Sequence, residues 1–482
     1  MNSDSACIDY LMHNAIVLTM ADPTGCGLIS NGAVAIRDDQ IIAVGDSDTL
    51  KKEYTAHRYI DCTNKVVMPG LIDAHMHTEV SIYRGLAQDS ENWMSDCVFP
   101  LRTCLDDDSA RVGSLMMIGE AIKAGTTTFV DQNERMCLLA ENHYRAGVRA
   151  VLSQTVNALP KRVALLPNGE LYPFETDIEE RLFHESEKLI QTWHGKDRGR
   201  IICGLNPHGP DRLSINMLRR LNDLSRKNNL PLFMHLACGE REMKQMEMRY
   251  HKRTIPFLQE LGMLHKGLIG IHLSVATSDE LKLFAESGAG MVLCSGSEAI
   301  VDGNVPPAVE FNRLSSRLAI GSDQTSGGNN SNMFYEMKVG ALLNKCKFHN
   351  PEIFQAWKML RLATIDGART LGMDHLIGSL EPGKKADIIV IDMNLLHMSP
   401  VIYTPLRNII PNLVYATNGS EVVLSMVDGK IIMEDRKLIH LDEAEIIRNA
   451  TEESRKLMQR ASKKTLRGRE TTITRLMRDN KL

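Results

Sequence analysis

The sequence predicts an α/β protein, a (β/α)8 TIM-like barrel combined with a small composite β-sandwich domain built from both chain ends. From about Gly70, short apolar runs of strand length alternate with longer segments of helical spacing, which is typical of βαβ units around a parallel sheet. Eight such units favour a closed barrel over an open sheet. The eight runs are GLIDAHMH, TTTFVDQ, RAVLSQT, RIICGLNPH, LPLFMHLA, GLIGIHL, GMVLCSGS and RLAIGSD.

The two ends of the chain have a different pattern. The stretches NAIVLTM, GAVAIRDDQIIAVGD and RYIDCTNKVVMPG near the start are β-rich and contain glycine and aspartate at turns, which indicates hairpins. KADIIVIDMN and EVVLSMVDGKIIMEDRKLI, near the other end, have the same pattern. We therefore expect residues 1–68 and 379–440 to form the β-sandwich domain and residues 69–378 to form the barrel. Residues 441–482 are charged and helix-patterned, and we expect a solvent-facing helical tail.

Composition and charge argue against several kinds of partner. The hydrophobic fraction of 43% and the charged fraction of 24% are those of an ordinary globular protein, and a net charge of -4 gives no reason to expect nucleic acid or an acidic membrane surface. No apolar stretch approaches the roughly 20 residues of a membrane span, and the start lacks a secretory pattern. Ten cysteines without regular spacing indicate free thiols in a reducing cytoplasm. We therefore expect a cytoplasmic protein with a small-molecule substrate.

Polar side chains end the eight apolar runs. Barrel enzymes place their chemistry at the carboxyl ends of the strands, so residues of metal-ligand type at these positions are candidates for a site. Buried strands would have little reason to end so often in such residues if these did nothing. The strand-end residues are His75, His77, Asp131, Gln154, His208, His235, His272, Cys294 and Asp323.

Five of these residues predict a metal site. His75 and His77 are two positions apart, so their side chains share one face of a strand and can converge on one ion. Taken singly, His235 and His272 could be buried core histidines, and Asp323 could be a helix cap. Their conjunction at the strand ends of one barrel favours an ion. Neutral imidazoles and one carboxylate suit zinc or ferrous iron, and such an ion lowers the pKa of its water from about 15.7 toward roughly 7.

Eight short motifs follow one another along nearly the whole chain: VVMPGLIDAHMH, RGLAQD, AGTTTFVD, PHGP, MHLA, IHL, GSD and GSLEPGKKADIIVID. In this order they resemble the amidohydrolase superfamily, and most of all its deaminase and chlorohydrolase branch, which acts on guanine, adenosine-type nucleosides and s-triazines. The resemblance implies a barrel with one divalent ion per chain, zinc before iron, and a composite β-sandwich. It also implies hydrolysis at a ring carbon that bears an amino or other leaving group, and a homodimer or higher homo-oligomer.

The resemblance assigns roles by position. It implies that His75, His77, His235 and Asp323 bind the metal. It implies that His272 either binds the metal as well or orients the attacking water. His208, in PHGP, matches the position that usually contacts substrate.

The fifth strand departs from the pattern of this branch. Relatives carry a glutamate three residues after the fifth-strand histidine, and that glutamate carries a proton to the ring nitrogen. Here the position holds Cys238. The sequence leaves open whether this thiol joins the chemistry or is only a small buried residue, and whether Glu240 or Glu242 reaches the site.

The seventh strand departs as well. Many relatives have a His-Asn-Pro-x-Ser-Asn run there, whereas this chain has Cys-Ser-Gly-Ser-Glu-Ala from Cys294 to Ala299. Cys294 thus replaces a histidine that can contact substrate. Glu298 either supplies an acid from this loop or is solvated, and we favour the solvated interpretation. Both departures make the substrate harder to predict than the metal.

Together these observations predict a metal-dependent hydrolase that deaminates a ring or amidine carbon of a nitrogen heterocycle by attack of metal-bound hydroxide. Asp323 is expected to transfer the proton and His272 to orient the hydroxide, with Cys238 as a third catalytic candidate. We expect substrate contacts from three residues, which are His208, Arg84 and Trp93. The alternatives are dechlorination, dethiolation or amide or urea cleavage on the same scaffold, and a catalytically decayed metal-binding relative. Retention of all five metal-type residues argues against decay.

Overall fold

The computed structural model describes residues 6–161, 163, 166, 169–466 and 470–482. The strands are β1 Ala6–Leu18, β2 Leu28–Arg37, β3 Gln40–Asp46, β4 Tyr54–Asp61, β5 Lys65–Pro69, β6 Leu71–Met76, β7 Thr126–Asn133, β8 Arg149–Val156, β9 Ile201–Cys203, β10 Asn206–Pro207, β11 Leu232–Leu236, β12 Leu268–His272, β13 Gly290–Leu293, β14 Leu318–Ile320, β15 Ile388–Asp392, β16 Val422–Val427, β17 Lys430–Glu434 and β18 Lys437–Leu438.

The α-helices lie mostly between the strands of the barrel. They are α1 Ser47–Glu53, α2 Phe99–Arg102, α3 Asp107–Lys123, α4 Met136–Ala146, α5 Thr176–Trp193, α6 Lys196–Gly199, α7 Ile215–Asn228, α8 Glu240–Tyr250, α9 Thr254–Glu260, α10 Ser278–Glu286, α11 Ser295–Val301, α12 Ala308–Leu314, α13 Met333–Phe348, α14 Ala356–Leu362, α15 Ile365–Leu371, α16 Ile409–Tyr415, α17 Glu443–Lys464 and α18 Thr472–Arg478. No helix in the described part of the chain is long and apolar enough to cross a membrane.

A closed ring of parallel strands forms the centre of the molecule. One sheet has the order β10-β8-β7-β6, with β9 beside β8, and a second has the order β11-β12-β13-β14. Parallel bridges between Leu205 and Leu232, and between Met76 and Asp323, join the two sheets at both seams. Since β9 and β10 together make one broken strand, the ring has the eight units that the sequence predicted.

Local sequence explains why strands and helices alternate. The barrel strands are almost wholly buried apolar runs, as expected when both faces of a parallel sheet are covered. Helix ends carry the usual capping residues: Ser214 accepts a hydrogen bond from the Met217 N–H at the start of α7, and Asn229 ends that helix with a left-handed backbone. At α10, Thr277 and Glu280 form a capping box. Because neighbouring barrel strands pair in parallel, the carboxyl ends of all eight strands lie at one face of the barrel.

Strands from both chain ends share one sheet. Its order is β18-β17-β16-β15-β5-β1-β2-β3, with β4 beside β1. The two ends meet where β15 pairs antiparallel with β5, with Val390 opposite Val67. The β-rich patterns at the two ends therefore belong to one structural unit.

A buried ion pair joins this sheet to the barrel. Arg149 begins β8, and its Nε lies 2.6 Å from Asp387 Oδ2. Its Nη2 contacts Asp428 at the turn between β16 and β17, and the Asp428 N–H donates to Asp387 Oδ1 over 2.9 Å. Removing one partner from such a buried pair typically costs about 3 to 5 kcal/mol, because the other charge is left without compensation.

The C-terminal tail corrects one prediction. Residues 441–482 were expected to face solvent, but α17 packs on α3 and fully buries Leu457 and Ala461. These two residues are four positions apart and form an apolar stripe on an otherwise charged helix. The shorter α18 has no buried residue, although Ile473 contacts the cluster that contains Trp93.

Candidate metal centre

The five predicted metal residues come together at the carboxyl face of the barrel. His75, His235, His272 and Asp323 each place a possible ligand atom within 4.8 Å of the others. His77 lies at the same point, with its Nε2 3.4 Å from His235 Nε2 and 3.6 Å from Asp323 Oδ1. The structure therefore assembles the constellation that the strand ends predicted.

Hydrogen bonds fix the orientation of two of these imidazoles. His77 Nδ1 donates to the Gln132 carbonyl, and His235 Nδ1 donates to the His208 carbonyl over 3.1 Å. Donation from Nδ1 leaves a lone pair on Nε2 of each ring, so the Nε2 lone pairs of His77 and His235 face each other. His75 is fully buried, and neither of its ring nitrogens has a hydrogen-bond partner among the described residues, although Nε2 lies 3.2 Å from Asp323 Oδ1. Converging lone pairs and an unsatisfied buried imidazole fit a single divalent cation between them.

The electrostatic environment keeps most of these groups in the form that binds metal. Burial lowers the pKa of His75, lowers that of His77 to about 3, and lowers that of His235 well below 6.5, so all three are neutral at pH 7. Burial alone would raise the pKa of Asp323, but its contacts with His75 and the charge of His272 hold it below the usual range. Its Oδ2 also accepts a hydrogen bond from Ser297 Oγ over 2.6 Å.

The backbone at the site is held in conformations that side-chain-bearing residues rarely adopt. His272 has φ 75° and Asp323 has φ 59°. Such left-handed geometry persists only where the surrounding structure imposes it, and it is concentrated at functional sites. Gly321 allows the close approach of β14 to β6, since a Cβ there would lie 2.8 Å from His75 N.

The position of Glu298 corrects the sequence interpretation, which favoured a solvated side chain over an acid that reaches the site. Glu298 is 3% exposed, and its Oε1 lies 2.9 Å from His272 Nδ1. Ser274 Oγ donates to its other oxygen over 2.6 Å. The interpretation was wrong because α11 starts directly after β13 and turns this carboxylate inward. Although burial opposes it, Glu298 raises the pKa of His272 to about 9, so His272 is protonated at pH 7 and its Nε2 must lose that proton to bind an ion.

A cavity of about 660 Å³ opens over these residues, and His208 and Trp93 line it. His208 Nε2 accepts a hydrogen bond from Arg212 Nη1 over 2.8 Å, which leaves Nδ1 to carry the proton. That buried Nδ1 has no partner in the part of the chain described. Trp93 Nε1 donates to Asp302 Oδ1 over 3.0 Å, which fixes the indole in the wall.

Cys238 also lines the cavity, and Glu242 lies beneath it. The Cys238 N–H donates to Glu242 Oε2 over 2.8 Å, and the Ala237 N–H donates to the other oxygen over 3.0 Å. Burial, together with the charges of Glu242 and Glu298, raises the pKa of the Cys238 thiol well above 9. The thiol is therefore protonated at neutral pH. Glu240 reaches the cavity too, from the exposed start of α8.

Arg84 does not lie with the other predicted substrate contacts. It forms an ion pair with Glu120 of α3 and lines a separate cavity between α3 and α17. The prediction that it contacts substrate is wrong because the short 3-10 segment Thr78–Tyr83 carries it away from the barrel mouth.

Comparison with known proteins agrees with this geometry. Residues 66–432 match the model of the amidohydrolase family. The chain is 34% identical over 445 residues to a 5-methylthioadenosine/S-adenosylhomocysteine deaminase from Syntrophobacter fumaroxidans, which covers 92% of this chain and 97% of the relative. It is 30% identical over 456 residues to a 5′-deoxyadenosine deaminase from Methanosarcina mazei, with 94% and 99% covered. An adenosine deaminase from Xanthomonas campestris, solved with bound zinc, has the same fold, with a TM-score of 0.86, 24% identity and coverage of 94% and 99%. The chain belongs to the amidohydrolase family.

Proposed function

We propose that the protein is a metal-dependent aminohydrolase that replaces the amino group of a nitrogen heterocycle by oxygen, with the adenine ring of a nucleoside as the leading substrate. The observation that carries this proposal is the set of imidazole lone pairs and the Asp323 carboxylate that converge beneath an open cavity. Relatives named as deaminases of adenosine-type nucleosides support the choice of ring.

We propose that His75, His77, His235, His272 and Asp323 hold one divalent ion, and zinc is the leading candidate because nitrogen and carboxylate donors suit it. An ion in this position supplies a water that is activated at neutral pH. The side chains around it then decide where that water attacks and where its proton goes.

Asp323 is placed to move the proton. Its carboxylate is ionised, with Oδ1 among the histidines and Oδ2 held by Ser297. It takes the proton of the attacking water and passes it to the departing amino group, which leaves as ammonia when the carbon–nitrogen bond breaks. His272, held at Nδ1 by Glu298, orients the water with its Nε2.

Two residues are placed to bind the ring. His208 carries an Nδ1–H donor without a protein partner beside the metal residues, and a ring nitrogen is the acceptor that would satisfy it. Trp93 offers the flat face of an indole fixed by Asp302. Cys238 shapes the floor of the cavity as a neutral thiol.

A metal assay followed by a substrate panel tests the proposal. Wild-type protein is expected to release ammonia in equal amount to product from at least one adenosine-type nucleoside, and Asp323→Asn is expected to abolish this while remaining folded. Arg84→Met is the matched control, because it removes a charged side chain outside the cavity. Absence of ammonia release across nucleosides, guanine and s-triazines would contradict the proposal.

The presence of Cys238 favours one second candidate, which is hydrolytic dechlorination. A departing chloride needs no proton, so a neutral thiol in place of the glutamate of relatives would be tolerated. Loss of a thiolate and cleavage of an amide or urea use the same scaffold. Product analysis separates these reactions, since chloride without ammonia from a chlorinated heterocycle would favour the second candidate.

We further propose that the protein is a cytoplasmic homodimer in which residues 1–68 and 379–440 form a composite β-sandwich domain, residues 69–378 the barrel and residues 441–482 a helical tail. Two separate apolar clusters on the nine-stranded sheet, one around Met12 and one around Leu50, support the sandwich. Leu396, 98% exposed, and Leu406, 76% exposed, offer apolar surface for a partner. A monomeric mass by light scattering at micromolar concentration would contradict the dimer.

A further inference from the structure

We propose that Arg241 and Lys244 form an anion-binding subsite in the same cavity, and that the substrate carries a carboxylate or phosphate on the substituent remote from the reacting ring. This inference rests on the proposed function, because it assumes that a heterocycle occupies the metal end of the cavity. It names the class of substrate that the protein prefers among heterocycles able to react.

Both residues belong to α8, which begins soon after the strand that carries His235. They are three positions apart, so their side chains project from one face of the helix. Both line the cavity that contains His235 and Asp323. Two cationic groups therefore face the space that a ligand would fill.

Neither side chain is held in an ion pair within the part of the chain that the structure describes, although the charge of Arg241 opposes the rise that burial causes in the pKa of Asp302 across the same cavity, and Lys244 is exposed. The buried Nε of Arg241 has no hydrogen-bond partner among those residues. Space is kept around the ammonium, because a Cβ at Gly169 would lie 2.4 Å from Lys244 Nζ. A buried guanidinium N–H without a partner is unfavourable, so a ligand that supplies an acceptor would be stabilised.

The other two cations that line the cavity have a different environment. Arg102 lies 3.2 Å from Glu79 and 3.5 Å from Glu134. Arg212 donates to His208 and lies 3.5 Å from Asp211. Both of these arginines are already paired with groups of the protein. Arg241 and Lys244 are therefore the two cations available to a ligand.

The subsite lies within reach of a molecule bound at the metal residues. Arg241 and Lys244 line the same cavity as His208, the residue placed to hold the ring. A cavity of about 660 Å³ accommodates a whole nucleoside-sized ligand with its substituent. Glu240, exposed at the same helix start, could accept the ammonium of an amino-acid substituent.

Substrate pairs that differ in charge test the subsite. S-adenosylhomocysteine supplies a carboxylate and adenosine 5′-monophosphate a phosphate, whereas 5-methylthioadenosine and 5′-deoxyadenosine are neutral. At least one anionic substrate is expected to exceed the neutral ones about tenfold in kcat/KM, mainly through KM, and the advantage should shrink with added salt. The anionic compound that shows the advantage identifies the carboxylate or the phosphate.

Arg241→Met and Lys244→Met are each expected to lower kcat/KM for the preferred anionic substrate at least about fivefold and to leave neutral substrates within about twofold. Lys252→Met is the matched control, since Lys252 pairs with Glu260 at the surface and does not line the cavity. Equal effects on anionic and neutral substrates, or a wild-type preference for neutral ones, would overturn the subsite while leaving deamination intact. If no nucleoside releases ammonia, the proposed function fails, and direct binding decides the subsite: adenosine 5′-monophosphate should bind more tightly than adenosine, and both variants should remove that difference.

Discussion

Cys238→Ala separates two roles for the thiol that replaces the glutamate of relatives. The side chain lies beside Glu242 and Glu298, and its pKa is raised well above 9, so under about 1% is thiolate at pH 7. Loss of a proton-transferring group typically costs about 10²- to 10⁴-fold in rate. A thiol that stays protonated cannot take up a proton from water, so we expect kcat within about threefold of wild type and an unchanged pH–rate profile.

The cost of this substitution should appear in stability. Removing one partly buried sulfur should lower the free energy of unfolding by roughly 1 kcal/mol. Steady-state ammonia release between pH 6 and pH 9, together with urea unfolding, measures both quantities. Cys137→Ala is the matched control, since Cys137 is also partly buried but lies on α4 and donates to the Glu185 carbonyl, away from the cavity.

A hundredfold fall in kcat for Cys238→Ala at unchanged stability, or the loss of one ionisation from its pH–rate profile, would refute this reasoning. Cys238→Glu complements the test. The new carboxyl would lie beside Glu242 and Glu298, whose like charges disfavour its ionisation, so we expect no gain of deaminase activity. A gain would show that the machinery of the relatives is otherwise intact.

Three further substitutions test the site and its surroundings. His75→Ala should remove close to one zinc or iron per chain and all activity; elemental analysis that finds two ions in wild type, or full activity after exhaustive chelation, would contradict this. Glu298→Gln should weaken metal affinity about 10- to 100-fold in competition with a chromophoric chelator, because His272 loses its carboxylate partner; unchanged affinity would count against that role. Burial raises the pKa of Glu336 from 4.5 to about 8, so the folded state holds this proton more tightly and stability falls as pH rises between these values, by at most about 1.4 kcal/mol per pH unit. Glu336→Gln should flatten that decline in urea unfolding between pH 6 and pH 8, and an equal slope in both proteins would rule out this cause.

The convergence of the five candidate metal residues could be predicted because each one lies at or near the end of a buried strand. In a closed parallel barrel the carboxyl ends of all strands lie at one face, independently of the conformation of the loops. His75 and Asp323 are far apart in the chain, yet the bridge between Met76 and Asp323 closes the ring beside them. The eight strands were found for a related reason, since strands covered on both faces are continuous apolar runs.

Residues beyond the strand ends could not be placed in this way. Arg84 and Glu298 follow strands on a short 3-10 segment and a short helix, where a single turn decides which wall a side chain faces. The buried face of α17 was missed because only Leu457 and Ala461 are buried on it. The left-handed backbone at His272 and Asp323 could not be predicted, because Asp and His favour this conformation more than most residues but still adopt it only rarely.

The sheet shared by both chain ends has a consequence for synthesis of the protein. β5 ends at residue 69, but its partner β15 begins only at residue 388. Ribosomes add about 5 to 20 residues per second, so the edge of β5 waits on the order of tens of seconds for its neighbour. Throughout that interval the nascent chain exposes an unpaired strand edge, a known route to aggregation. Arg149 likewise stays without its two carboxylate partners until residues 387 and 428 emerge from the ribosome. We therefore expect the barrel to be aggregation-prone during synthesis until the last strands are made.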